Sequence, residues 1–289
     1  MRLDWLHSFI AFAEDLNFTH AARRLHLSQP ALHVQISKLA AFLGCPLYTR
    51  DGRTLQLTRE GKRAAVLFRD LIDRTEALPE AVRTGTQQMP QTLCAGEGAY
   101  LYLLGGAVRA YQRRSGASVR LLTRDRDGTI AAVAQGEAHV GVAAGVSPPD
   151  GIKTRTLTEV RHVLVMQKTH PLASRSGLRL NDLAEQQLIV PPSGRPLRAL
   201  LASLLAAKKV PWEVAVEASG WEVMIRFVEL GAGLAIVNEC CVIPRSLVAV
   251  PIADLPSIRY DLVFRSGELA SETKALVDTL HRHREDWRA

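Results

Sequence analysis

The chain has 289 residues, of which 47% are hydrophobic and 22% charged, enough apolar material for sizeable cores. This excludes a disordered tail or a miniprotein held by disulfides, and the length suits two or three domains. The net charge is +7, and residues 1–63 hold nine Lys or Arg against five Asp or Glu. More than half the excess thus sits in about a fifth of the chain, the footprint of a nucleic-acid module joined to a near-neutral one.

No apolar run follows Met1, and Asp4, Glu14 and Asp15 interrupt the first twenty residues. The expectation is a cytoplasmic protein with no signal peptide and no membrane span. Cys45, Cys94, Cys240 and Cys241 form no CxxC pattern, which fits a reduced compartment.

The first predicted helix starts at Asp4, a candidate N-cap, and places Leu6, Phe9, Ile10, Ala13 and Leu16 at helical spacing. Thr19 is the expected cap of a second short helix, His20 to His26. A turn at Leu27-Ser28 leads to a third, with Pro30 in its first turn and Leu32, Ile36, Leu39 and Leu43 on one face. Gly44 ends it. Short alternating segments around Asp51-Gly52 predict a β-hairpin, the wing of a winged helix-turn-helix. Thr58 caps a long helix from Arg59, whose Ala64, Leu67, Leu71, Leu78 and Val82 fall near a seven-residue repeat. Pro79 is expected to kink or break it. Gly85 to Pro90 reads as a linker.

From Gln91 the pattern changes to β-rich runs alternating with helical stretches. Strands are expected at 92–95, 119–123, 139–143, 162–167, 187–190, 213–217, 234–237, 247–251 and 260–265. Helices are expected at 102–114, 129–135, 181–184, 195–208, 221–230 and 271–284. This alternation predicts α/β lobes with parallel sheets.

Residues 18–32, FTHAARRLHLSQPAL, resemble the LysR-type transcriptional regulators. So do Gln35-Ile36-x-x-Leu39, Leu43-Gly44-x-Pro46-Leu47-Tyr48-x-Arg50 and Leu57-Thr58-x-x-Gly61. Weaker echoes follow at His170-Pro171-Leu172 and from Val228 through Gly231-x-Gly233 to Val237. Four departures stand out: His33 replaces a usual serine, Ala40 a common glutamate, Asn238 a frequent proline, and Pro79 is unusual in the linker helix.

The resemblance implies an α+β multidomain chain. Its parts would be a winged helix-turn-helix over 1–58, a linker and dimerisation helix over 59–90, and a periplasmic-binding-protein-like effector domain over 91–289. Lobe one would be 91–162 plus 267–289, and lobe two 163–266. In a winged helix-turn-helix the third helix enters the major groove. Gln29 suits the N6/N7 edge of adenine, Pro30 a thymine methyl, and His33 and Gln35 base edges or phosphate. Thr19, Ser28, Lys38, Arg50 and Arg53 are candidate phosphate contacts, with Arg50 or Arg53 alternatively entering the minor groove. Leu67, Leu71 and Leu78 are candidate dimer contacts, or else pack on their own domain.

The expected partners are double-stranded DNA, a small-molecule effector, RNA polymerase and further copies of the chain as a homodimer or homotetramer. Candidate effector residues are Gly98, Ala99 and Tyr100, then Thr129, then Ser193, Gly194 and Arg195, and Trp221. The 193–195 turn opens a helix and suits a carboxylate, whereas Glu97 opposes a dianion and suits an amine or hydroxyl. No cofactor or metal is expected, and no enzyme signature was found: no nucleophile elbow, zinc-protease helix, P-loop or dinucleotide fingerprint. His281-x-His283 reads as a solvated helix face. The alternatives are an oxidant sensor using cysteine thiols and a binding receptor without effector-dependent transcription.

Overall fold

The structure, a computed structural model, describes residues 1–52, 54–84 and 89–288. Three helices open the chain: α1 (Leu3–Asp15), α2 (Phe18–Arg24) and α3 (Gln29–Leu43). The hairpin β1 (Tyr48–Asp51) and β2 (Thr54–Leu57) follows, then α4 (Arg59–Thr84). Leu6, Phe9 and Phe12 of α1 and Leu32, Ile36 and Leu39 of α3 are fully buried in one core. At about 1.5–3 kcal/mol per large apolar side chain, this core holds the three helices together.

The caps differ in detail from the sequence expectation. α1 begins at Leu3, so Asp4 lies in its first turn, paired with Arg2 at 2.8 Å. There its charge suits the positive end of the helix dipole. Asn17, not Thr19, caps α2, because its Oδ1 reaches the N–H groups of both Thr19 and His20. Ser28 caps α3, and Gly44 ends it at φ +70°. Leu43, expected on the inner face, is exposed.

The Thr58 hydroxyl accepts the Gly61 N–H and donates to the Pro46 carbonyl, fixing the wing to α4. α4 runs through Pro79 for 26 residues. The break expected there does not occur: so near the C-terminal end, the ring deprives only the Thr75 carbonyl of its helical partner. The apolar repeat on α4 divides. Ala64 is buried and Leu71 half-buried in the helix's own domain, while Leu67 and Leu78 are 65% and 55% exposed.

The chain continues as β3 (Gln91–Ala95), α5 (Glu97–Ala99), a π-helical turn (Tyr100–Leu104), α6 (Gly105–Ser115), β4 (Val119–Thr123), α7 (Arg126–Ala134), β5 (Val140–Ala144) and β6 (Ile152–Val160). Then come β7 (His162–Gln167), β8 (Gln187–Val190), α8 (Pro196–Ala207), β9 (Glu213–Glu217), α9 (Trp221–Glu229), β10 (Leu234–Asn238), β11 (Leu247–Pro251), β12 (Ile258–Arg265) and α10 (Ser271–Arg282). The segment expected to be helical at 181–184 is a 3-10 turn, Leu180–Leu183.

Two five-stranded sheets result, in the orders β4-β3-β5-β12-β6 and β11-β7-β10-β8-β9. Both are mixed rather than parallel, since β12 and β7 run antiparallel to their neighbours. β12 was expected in lobe two but pairs with β5 and β6 in lobe one, so the chain returns near residue 257 rather than 266. β6 was not anticipated. It is an edge strand with Lys, Arg, Glu and three Thr, which erase any apolar alternation.

An ionic joint ties the N-terminal domain to lobe one. Arg69 of α4 is only 9% exposed. Its guanidinium bonds Glu14 of α1 at 2.8 Å, donates to the Gln135 carbonyl and lies 3.9 Å from Glu137. Beside it Asp70 approaches Arg265 and His139, and Asp73 approaches Arg120. Burial holds His139 below its usual range against the pull of Asp70. Gly136, at φ +79°, lets lobe one close on α4, for a Cβ there would sit 3.1 Å from the Val66 Cα.

Gly61 makes a closer approach still: an added Cβ would lie 1.8 Å from the Leu47 carbonyl oxygen. Backbone cannot yield as a flexible side chain can, so Gly61→Ala should destabilise the N-terminal domain by about 2 kcal/mol or more. Urea unfolding of the two proteins checks this, and an unchanged midpoint would contradict the packing.

Candidate nucleic-acid interface and inter-lobe cleft

At the first turn of α3, Gln29 and Pro30 are exposed, as are Thr19 at the start of α2, Ser28, and Lys38 further along α3. The Thr19 hydroxyl donates weakly to Gln29 Oε1 at 3.4 Å, leaving the Gln29 amide N–H groups outward. Ser28 spends a lone pair on the Ala31 N–H and keeps its proton to donate. A shallow depression between the start of α1 and α3 adds Arg2, Trp5 and Val34, none of which the motif singled out.

Two expected base readers already have internal partners. Gln35 Oε1 accepts from the buried Ser8 hydroxyl at 2.7 Å. His33 sits 3.2 Å from the Tyr48 hydroxyl and 3.4 Å from that of Ser37, with its ring 5.2 Å from that of Phe18. Phe18 also stacks on Phe12, which meets Tyr48 edge-on. The histidine that replaces a usual serine therefore ties α3 to the wing. Arg50 donates to the Gly52 carbonyl across the wing tip. Arg53 lies outside the described residues, as do residues 85–88 of the expected linker.

A cleft of about 440 Å³ separates the two sheets, within the size range of small-molecule sites. Of the candidate effector residues, Gly98, Ala99, Thr129, Arg195 and Trp221 line it; Tyr100, Ser193 and Gly194 do not. The Tyr100 hydroxyl is instead shared between the Leu93 and Leu122 carbonyls, pinning the π-helical turn to β3 and β4. Ser193 and Gly194 form an exposed turn ahead of α8, whose cap position is Arg195. Thr129 is fully buried and accepts the Cys94 thiol.

Sequence reasoning missed Tyr102, Glu222, Asn238 and Tyr260, which all line the cleft. Tyr102 donates to Glu222 at 3.3 Å, and its ring lies 6.0 Å from that of Trp221. The Asn238 amide donates to the Tyr260 hydroxyl at 3.0 Å, joining β10 of lobe two to β12 of lobe one. Beside that crossing Arg161 is held by both carboxylate oxygens of Glu239 at 2.9 Å. Only Asn238 carried a signal, its departure from the usual proline.

The thiols of Cys94, Cys240 and Cys241 are buried; burial pushes that of Cys94 upward, and the bond with the Cys240 thiol, reinforced by burial, pushes that of Cys241 upward. Thiolate formation is disfavoured there, which counts against the oxidant-sensing alternative. Among the described residues no cluster of His, Cys, Asp or Glu has metal-site geometry, and no helix is long and apolar enough to cross a membrane.

A winged helix-turn-helix joined by a long helix to two lobes around a cleft defines a ligand-responsive DNA-binding regulator. Residues 3–62 match the bacterial regulatory helix-turn-helix model of the lysR family, and residues 84–285 match the LysR substrate binding domain. The chain belongs to the LysR family of transcriptional regulators. It is 28% identical to the HTH-type transcriptional regulator IlvR of Caulobacter vibrioides, over 93% of this chain and 94% of that protein. It is 30% identical to BudR of Raoultella terrigena, over 68% and 70%. Among solved structures, a full-length OxyR variant from Pseudomonas aeruginosa superposes with a TM-score of 0.66 at 19% identity, covering 99% of this chain and 95% of that one. CbnR in complex with its target DNA superposes at 0.63 and 21% identity, covering 98% and 100%. At these identities the two structures speak for the fold alone. Like its family, the protein is a DNA-binding transcriptional regulator, not an enzyme, with an effector-binding domain.

Gly98 is one of the points where the lobes touch: a Cβ there would lie 2.4 Å from the Trp221 ring. Gly98→Ala should push the indole aside and weaken lobe closure without unfolding either lobe. The expected result is a shifted Trp emission maximum with unchanged far-UV circular dichroism; an unaltered emission spectrum would contradict the contact.

Proposed function

We propose that the protein acts in the cytoplasm as a homodimer or homotetramer on a partly palindromic operator, with an effector in the cleft setting the placement of its DNA-binding pairs. The division of labour is a winged helix-turn-helix over 1–58, a linker helix and hinge over 59–90, and an effector domain over 91–289. The observation that carries this is the exposed first turn of α3, with Gln29 and Pro30 outward beside the wing.

In this reading Gln29 and Pro30 meet base edges, and Thr19, Ser28, Lys38 and Arg50 meet phosphates. His33 and Gln35, already bonded within the domain, position the helix and wing. Leu67 and Leu78, exposed on α4, pair with a second copy. A carboxylate of the effector meets Arg195, near the first turns of α8 and α9, whose N–H groups no side chain caps. The effector must bind one arrangement better than the other to shift it. The new arrangement then alters contact with RNA polymerase.

Binding to the DNA upstream of the protein's own gene, against random DNA in a salt series, tests this reading. Preference for one sequence, with affinity falling steeply as salt rises, is expected. Equal weak binding to every fragment in a genome-wide screen would contradict it. Gln29→Ala should cost about 1–3 kcal/mol of discrimination, read as a reduced ratio of specific to random affinity. Arg50→Ala should weaken all sequences alike and flatten the salt dependence. Leu67→Glu should dissociate the α4 pairing, and an unaltered sedimentation coefficient would argue against that seam.

A further inference from the structure

We infer that the effector is a small zwitterion, an α-amino acid with an apolar or aromatic side chain. This rests on the cleft being the effector site, as proposed above, and specifies its chemistry.

The first observation is Asn238. Its side chain is fully buried at the end of β10 and faces the cleft. One end of the amide is satisfied by Tyr260, but Oδ1 has no hydrogen-bond partner. A buried amide oxygen left unpaired is costly, and such a group at a cleft wall is explained by a donor that arrives with a ligand. The usual proline at this position offers no such acceptor, so the feature belongs to this chain.

The second observation is the charge set around it. Glu97 and Glu222 place two carboxylates on the cleft. Glu222, exposed in the first turn of α9, accepts the Tyr102 hydroxyl and stays ready to accept from a ligand. Of the two arginines on the cleft, Arg126 holds the exposed Asp127 through Nε alone at 2.9 Å. Arg195 lines the cleft from lobe two and can meet an anion there. Two carboxylates and an amide oxygen set against two guanidiniums, one of which also holds Asp127, match a ligand with one ammonium and one carboxylate better than a dicarboxylate. Trp221 and Tyr102 complete the cleft with aromatic surface for an apolar side chain.

This ligand would also act on the hinge. Asn238 holds Tyr260 across the boundary between lobes, so an ammonium on Oδ1 would fix the amide that joins β10 to β12. Carboxylate and ammonium would then draw Arg195 of lobe two and Glu97 of lobe one onto one molecule.

The test is calorimetric titration of the full-length protein with L-leucine and L-phenylalanine, each beside its deaminated acid and its decarboxylated amine. One amino acid should bind at least about tenfold tighter than both of its analogues, the scale expected for losing one charge-assisted contact. Glu97→Gln, a substitution at an exposed position, should weaken that amino acid by about tenfold and leave the deaminated acid unchanged. Asn238→Leu should weaken that amino acid by more than it weakens the deaminated acid, with circular dichroism confirming the fold. If the deaminated acid binds as tightly as the amino acid and loses affinity in Arg195→Ala, the ammonium site is overturned while the cleft remains the effector site. Amino-acid binding indifferent to Glu97→Gln, Asn238→Leu and Arg195→Ala would overturn both. Binding of neither amino acid would overturn the assigned class.

Discussion

One guanidinium holds the molecule's two functions together. Arg69 leaves α4 nearly buried, takes Glu14 of α1 on one side and meets Gln135 and Glu137 of lobe one on the other. Glu14 also pairs at 2.7 Å with Arg24, the last residue of α2. The end of α7 in the effector domain is thereby connected to the helices that carry α3. A buried ion pair is weak evidence of stability, because desolvation offsets much of the attraction. It does fix geometry: a planar fork with a carboxylate on one edge and a carbonyl on another tolerates few orientations. Val66 against Gly136 closes the same seam by shape.

The cleft lies at the other end of α7. Arg126 and Thr129 in the first half of that helix line it, while Gln135 just after the helix receives Arg69. The helix is nine residues long and packs on β5 and β12, so it moves as one body. A ligand that changes the angle between the lobes thus bears on an element whose far end is bonded to α4. This continuity is physical, and it needs no long chain of intermediates.

The N-terminal domain was legible because its signals are local. Ser28, Pro30, Gly44, Asp51-Gly52 and Thr58 each act within a few residues of themselves, and their order reproduces the fold. Even there, Asn17 displaced Thr19 as a cap because either side chain serves and only geometry chooses. The lobes were legible as alternating elements but not as sheets. Strand order depends on pairings far apart in sequence, so nothing near β12 marks its return to lobe one. β6 escaped because a polar edge strand has no apolar period. Arg69 looked like any arginine on an amphipathic helix, and Tyr100, expected in the cleft, serves two carbonyls that no local pattern reveals. Asn238 is the exception: a departure from the family pattern pointed to the position before its surroundings were known.

Hydrogen exchange in the wild type and in Arg69→Met tests the joint most directly. Methionine keeps much of the side chain's apolar bulk, and Glu14 retains Arg24 as a partner. If the guanidinium holds both domains, exchange should rise together in the last turn of α1 and in the Gly136 and Ala138 amides, which bond back to α7. Exchange that rises only within α4, or nowhere, would mean that the effector domain and the DNA-binding domain are held by other contacts and that Arg69 does not couple them.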